Sequence, residues 1–206
     1  LEKYGDRVPL RENEWDSRHF WRVSNAEHLE MSENAGIVNL SHFAIYDVEG
    51  PDHVALMEWL CAARIGGDHM VGKGIYTHFL DDEGMVRADL TVIRMEDRCR
   101  VIDGADAGPR DFHYMRRVAG EKGFDVTVTD VTEKYVTIGI WGPNARETLK
   151  QVVEDPSGLD PDNFPFAAIK PVRIAGKDVT AFRISYVGEQ GWELHMAYED
   201  GLAVWD

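Results

Sequence analysis

Two carboxylates, Glu189 and Glu193, belong to a glycine-rich turn in "SYVGEQGWELH" (185–195), with Tyr186 before the turn and Trp192 inside it. Glu189 lies between Gly188 and Gly191 and reads as a solvated turn residue. Glu193 stands one step inside the returning strand, between Trp192 and Leu194. A carboxylate in that setting is either on a wet outer face or partly desolvated and partnered. Alternation puts Glu193 and His195 together on the face opposite Leu194, and leaves that choice open. Another carboxylate, Asp89, sits mid-strand in "GMVRADLTVIR" (84–94), on the face opposite Val86, Ala88 and Leu90. Aspartate is unfavourable within strands, so its presence asks for a reason. The plain one is an exposed carboxylate beside Arg87 or Arg94. Tyr76, ahead of the same hairpin, reads as a half-buried strand aromatic.

Other chemistries are weakly supported. "GGDHMVGKG" (66–74) approaches a phosphate-cradling loop, with Gly67, Gly72 and Lys73 at suitable spacing. Gly74, however, stands where a Ser or Thr would ligate magnesium, and strand-like "IYTHFL" follows where a helix should begin. A β-turn region is the better account. No G-x-G-x-x-G occurs, so the chain shows no dinucleotide fingerprint. The histidines (His19, His28, His42, His53, His69, His78, His113 and His195) form no HExxH and pair with no cysteine at zinc spacing, and no metal site is expected. No G-x-S-x-G elbow supports a nucleophilic serine.

The elements that must position these residues are written twice. "AIYDVEGPDHVALMEWL" (44–60) aligns with "VTIGIWGPNARETLKQV" (136–152), an offset of 136 − 44 = 92 residues. Each is a β-type run, a Gly-Pro junction and a helix-type run; glycine tolerates the turn and proline suits a helix start. The parallel continues: the turn at Gly84 falls opposite Gly176, "MEDR" (95–98) opposite "VGEQ" (187–190), and "RDFHYMRRV" (110–118) opposite "GLAVWD". Both halves read strand, helix, strand, turn, strand, turn, strand, helix. Val86, Ala88, Leu90 and Val92 share one strand face; Phe182, Ile184 and Tyr186 share another, as do Trp192, Leu194 and Met196 after the turn. The expected class is α+β, with helices packed on largely antiparallel sheets and a ligand crevice between the two units. A leading polar, Trp-rich segment (1–36) carries a helix expected around Ser24–Ala35.

Composition narrows the partners. The 206 residues carry a formal charge of 22 − 37 = −15, which repels phosphate backbones and speaks against nucleic acid. No apolar run approaches a membrane span, and no signal peptide is evident. Cys61 and Cys99 lie in apolar patterns without a CxxC, which fits a reducing, cytoplasmic setting. The chain opens at Leu1 and stops at Asp206 within a helical pattern, so a processed or partial chain is expected.

Four ordered motifs then carry a resemblance: "ENAGIVNLSHFAIYDVEGPD" (33–52), "YTHFLDDEGMVRADLTVIR" (76–94), "IGIWGPNAR" (138–146) and "RISYVGEQGWELH" (183–195). The chain resembles the folate-binding aminomethyltransferase family. That family comprises the glycine cleavage T-protein and the folate domains of dimethylglycine and sarcosine dehydrogenases, and the dehydrogenase branch looks closer. The resemblance implies two similar antiparallel-sheet and helix lobes of a three-lobed folate-binding fold. One lobe would comprise residues 1–45 and 137–206, the other residues 46–136. A third lobe and an arginine-bearing motif would lie downstream. It implies tetrahydrofolate as cofactor and a methylated amine as one-carbon donor. FAD is implied only through a separate flavoprotein domain or subunit. Asp89 maps onto the family's catalytic strand aspartate, Glu193 onto its pterin-binding glutamate, and Tyr186 and Tyr76 onto tyrosines near the folate. Rival readings are a non-catalytic folate-binding module and a folate-dependent O- or S-demethylase.

Overall fold

The 92-residue offset reappears in space as two sheets of one topology. The structure is a computed structural model describing residues 2–8 and 20–206; His19 and Trp15 lie outside the described residues. After α1 (Trp21–Glu33) and β1 (Gly36–Asn39), the first unit runs β2 (Ala44–Glu49), α2 (His53–Leu60), β3 (Lys73–Leu80), β4 (Val86–Arg94), β5 (Arg98–Asp103) and α3 (Gly108–Lys122). After β6 (Thr127–Asp130), the second runs β7 (Tyr135–Trp141), α4 (Ala145–Lys150), β8 (Ile169–Ile174), β9 (Lys177–Phe182), β10 (Gly191–Ala197) and α5 (Gly201–Trp205). One sheet has the order β3-β4-β5-β2-β6 and the other β8-β9-β10-β7-β1, with every ladder antiparallel. Element for element, the two orders correspond.

The Gly-Pro junctions explain part of this repetition. Gly50 and Gly142 both have positive φ, 121° and 134°, a region that side chains rarely adopt. A Cβ on Gly50 would strike the Asp125 carbonyl, and one on Gly142 the backbone at Asn34 and Ala35. Each glycine thus lets its strand-to-helix turn pass close under a neighbouring segment. Pro51 and Pro143 sit in those turns, just ahead of α2 and α4.

Each sheet buries its outer face under helices. Leu56, Met57 and Leu60 of α2 and Met115 and Val118 of α3 pack on Val48, Val92 and Val101. In the second unit, Leu149 of α4 and Phe164 pack with Trp192, Leu194, Ile138 and Ile140. Burying each such side chain contributes about 1.5–3 kcal/mol relative to leaving it in water.

The inner faces meet each other. The Phe182 ring at the end of β9 occupies the space where a Cβ of Gly74 in β3 would stand. Gly74 N–H donates to the Ala167 carbonyl (3.0 Å) and Ile169 N–H to that of Gly72 (2.9 Å). This is the reason for Gly74 that the phosphate-loop comparison could not supply: it is a contact point between sheets. Further along, the Arg100 guanidinium of β5 grips Asp47 of β2 through Nε (2.7 Å) and Nη2 (2.9 Å), and Nη2 also donates to the Tyr135 hydroxyl (2.9 Å) at the start of β7. A buried cation is thereby paired with an anion and tied to the opposite sheet.

Two expectations need correction. β9 ends at Phe182, so Ile184 and Tyr186 do not continue its face. Arg183 N–H instead turns to the Ala168 carbonyl, and the Trp141 Nε1–H holds the Ile184 carbonyl at 2.9 Å. On β4, Ala88, Leu90 and Val92 are buried together, but Val86 is exposed, because the register shifts opposite Phe79 and Leu80.

Candidate functional site

Between the inner faces lies a cavity of about 660 Å³. The first unit lines it with Tyr76, Asp89, Thr91 and Ile102 from the sheet and Asp103 and Gly104 from the end of β5. The second supplies Glu193 from β10 and Phe166, Ile184, Ser185 and Tyr186 from loops. The structure therefore brings Asp89, Tyr76, Tyr186 and Glu193 into one cavity.

Asp89 lies exposed at its mouth, cross-strand from His78. Alternation sends its side chain away from the Leu90 core face, and Tyr76, on the same side of β3, reaches it diagonally. The Tyr76 hydroxyl donates to Asp89 Oδ2 at 2.8 Å. That hydrogen bond, then burial and the carboxylate's charge, raise the Tyr76 phenol above its ordinary range. Tyr76 and Tyr186 are 58% and 83% exposed, so two rings stand open on the rim.

Glu193 resolves the alternative that alternation left open: it is desolvated, only 8% exposed. Its neighbour is His195 Nε2, 3.3 Å from Glu193 Oε2. Across β7 it faces Gly139, over which the Trp141 ring folds where a side chain would otherwise stand. The turn glycines have separate reasons. Gly188 takes a positive φ of 85°, and a Cβ on Gly191 would strike the Ile140 carbonyl and the Trp141 indole. Glu189 is half-buried in this turn rather than fully solvated, and makes no side-chain hydrogen bond or ion pair among the described residues.

Asp103 is a cavity residue that sequence reasoning missed. It ends an apolar strand, "CRVID" before Gly104, and that is the signal it offered. It is 3% exposed; Oδ1 accepts the Gly104 N–H at 2.7 Å, whereas Oδ2 is buried without a donor. Asp111 of α3 adds a second negative charge that acts on it, and is itself held by Arg110 through two bonds of 2.9 Å. Burial, then the Asp111 charge, push the Asp103 carboxyl up to about 7, opposed by the Gly104 N–H. The unfolded chain releases this proton near pH 4, so folding loses stability as pH rises from 4 to 7. Asn keeps the geometry without titrating. Asp103→Asn is expected to stabilise the fold at pH 8, by on the order of 1–2 kcal/mol, and to do little at pH 4.5. Melts at pH 4.5 and pH 8 check this: a gain of equal size at both would remove the linkage.

Trp141 was also missed as a site residue. It is buried and does not line the cavity, but its ring covers Gly139 opposite Glu193 and its indole N–H pins the loop carrying Ser185 and Tyr186. Among the described residues, no three His, Cys, Asp or Glu side chains cluster to hold a metal ion. Cys61 and Cys99 are free, and burial pushes both thiols up, Cys99 to about 12. No helix of the described residues is long and apolar enough to cross a membrane.

Comparison with known proteins agrees with this geometry. Residues 3–206 match the GCVT N-terminal domain family. Mitochondrial dimethylglycine dehydrogenase of Rattus norvegicus is 31% identical over 201 residues, 97% of this chain and 22% of the relative. The aminomethyltransferase of Paraburkholderia phymatum is 28% identical over 193 residues, 93% of this chain and 52% of the relative. The chain thus spans about half the length of the aminomethyltransferase and about a fifth of the dehydrogenase. Among solved structures, the glycine cleavage system aminomethyltransferase T of Bartonella henselae shares the fold. Its TM-score is 0.67 at 24% identity, covering 83% of this chain and 44% of that one. With the family motifs matched almost end to end and the doubled sheet topology in place, the chain belongs to the folate-binding aminomethyltransferase family.

Proposed function

We propose that this chain is the tetrahydrofolate-dependent part of a one-carbon transferase, moving a methyl or methylene unit from a methylated amine to folate. One observation carries the reading: Asp89 and Tyr76 from one unit and Tyr186 and Glu193 from the other line a single cavity between the two sheets. The two lobes are read as residues 1–45 with 137–206, and residues 46–136, a division supported by the two sheets. The cavity chemistry suits a folate. Glu193 is a buried carboxylate with spare acceptor capacity, and Ser185 Oγ is a second polar atom left without a partner beside it.

Tetrahydrofolate, when bound, supplies the nitrogen that accepts the one-carbon unit. The chain's own residues do the rest. Glu193 accepts hydrogen bonds from adjacent ring N–H groups, a planar match of the kind a carboxylate makes best. Tyr186 and Tyr76 pack on or bond to the rim of the ligand. Asp89, steadied by the Tyr76 hydroxyl, places a negative charge beside the carbon–nitrogen unit of the donor as it becomes iminium-like.

Dimethylglycine, sarcosine and the aminomethyl intermediate of glycine cleavage are the donor class, in keeping with relatives named dimethylglycine dehydrogenase and aminomethyltransferase. Amine oxidation by FAD would belong to another domain or subunit, since the sequence has no dinucleotide fingerprint. Anaerobic calorimetric titration with tetrahydrofolate tests the proposal. Saturable one-to-one binding is expected, with methylene-tetrahydrofolate formed when an added flavin-dependent amine dehydrogenase oxidises a methylated amine donor in the same mixture. No binding at millimolar ligand would overturn it; binding without transfer would leave only a folate-binding module.

A further inference from the structure

His195 belongs to neither the motif's known glutamate nor its tyrosines, yet it is 4% exposed and sits directly behind Glu193 on the same strand face. Its Nδ1 lies 3.0 Å from the Thr137 hydroxyl, its cross-strand register partner on β7. Thr137 is anchored in turn. Its N–H donates to Ser41 Oγ (3.2 Å), and the Ser41 hydroxyl donates to its carbonyl (3.4 Å). Among the described residues the Thr137 hydroxyl has no other bond, so donating to Nδ1 is how it is satisfied as a donor. That places the ring proton on Nε2, which makes no hydrogen bond as the side chains stand; among the described residues Glu193 Oε2, 3.3 Å away, is the acceptor within its reach.

The consequence concerns Glu193 more than stability. A buried carboxylate with one partner has several rotamers of similar energy unless that partner selects one. A small rotation of the Glu193 carboxylate would bring Oε2 into line with a proton on Nε2 and leave the other oxygen for a ligand in the cavity that Glu193 lines. We propose that His195, held by Thr137 as the Nε2–H tautomer, is a positioning residue that presents the Glu193 carboxylate edge to a ring bearing two adjacent N–H donors. The assignment rests on the folate reading of the cavity and deepens it: His195 sets how the ligand ring is read.

The test measures binding of 5-formyltetrahydrofolate, which resists air oxidation, together with thermal melts. Wild type, His195→Leu, His195→Gln and Thr137→Val are compared, and His195→Leu is repeated in a Glu193→Gln background. Leucine fills a buried site without a polar atom, so its melting point is expected to stay within a few degrees of wild type while affinity falls about tenfold. Glutamine can still donate to Glu193 and should keep affinity within about threefold. Thr137→Val, which keeps the ring but frees its tautomer, should fall between the two. In the Glu193→Gln background, His195→Leu should cost less than about twofold, because the two residues act as one unit. Wild-type affinity in His195→Leu, an equal loss in both backgrounds, or a Gln variant as weak as Leu would each overturn the assignment. A wild-type protein that ignores the probe would instead overturn the folate reading, and this assignment with it.

Discussion

Asp89→Asn is expected to lower turnover by about 10²–10³-fold while tetrahydrofolate affinity stays within about threefold. The asymmetry follows from where Asp89 sits. Its side chain is exposed at the cavity mouth, and its hydrogen bond comes from the Tyr76 hydroxyl at 2.8 Å. Asn Oδ1 can accept that same hydrogen bond, so the strand, the tyrosine and the rim keep their places. What disappears is the negative charge, and that charge matters only when the donor nitrogen and carbon become cationic. An interaction made in the transition state and absent from the ground state lowers kcat and leaves binding alone. Steady-state transfer with a saturating amine donor, paired with calorimetry of the same variant, measures both halves. Unchanged turnover would remove Asp89 from the chemistry; lost binding would make it a ligand anchor.

For Glu193→Ala the expected pattern is reversed: tetrahydrofolate affinity falls by about 100-fold, and the fold is hardly weakened. Two charge-assisted hydrogen bonds to ring N–H groups together supply about 3 kcal/mol, which is that factor in affinity. The carboxylate is 8% exposed and, among the described residues, is paired with His195 alone, so in the free protein its desolvation is poorly repaid. Removing it relieves the scaffold even as it blinds the site. Glu189→Ala is the internal control, expected within about twofold of wild type, since Glu189 makes no hydrogen bond or ion pair among the described residues. Calorimetric titration of both variants decides between the two glutamates. Binding that survives Glu193→Ala would rule out the pterin contact.

Much of this protein was legible along the chain because its determinants are local. The positive φ at the Gly-Pro junctions, the tight turns at Gly84 and Gly176, and the alternation of Ala88, Leu90 and Val92 each depend on residues a few positions apart. Backbone sterics and side-chain period act at that range, and so the doubled unit and its antiparallel strands could be read without coordinates. The motif resemblance separated Glu193 from Glu189 for the same reason, by one strand step within a short segment.

Tertiary structure decided the rest, because desolvation and charge pairing depend on what another part of the chain brings close. Gly74 looked like a failed phosphate loop until the Phe182 ring from the other sheet was found against it. Asp103 carried no signal beyond ending an apolar strand; the fold buries it and adds the charge of Asp111 on α3. Tyr186 seemed to extend β9, but the Trp141 indole holds the Ile184 carbonyl and turns that segment onto the cavity rim. Sequence alone determined that Glu193 and His195 share a face. Only the tertiary structure determined that both side chains are buried there, and burial is what makes a carboxylate a recognition group rather than a surface charge.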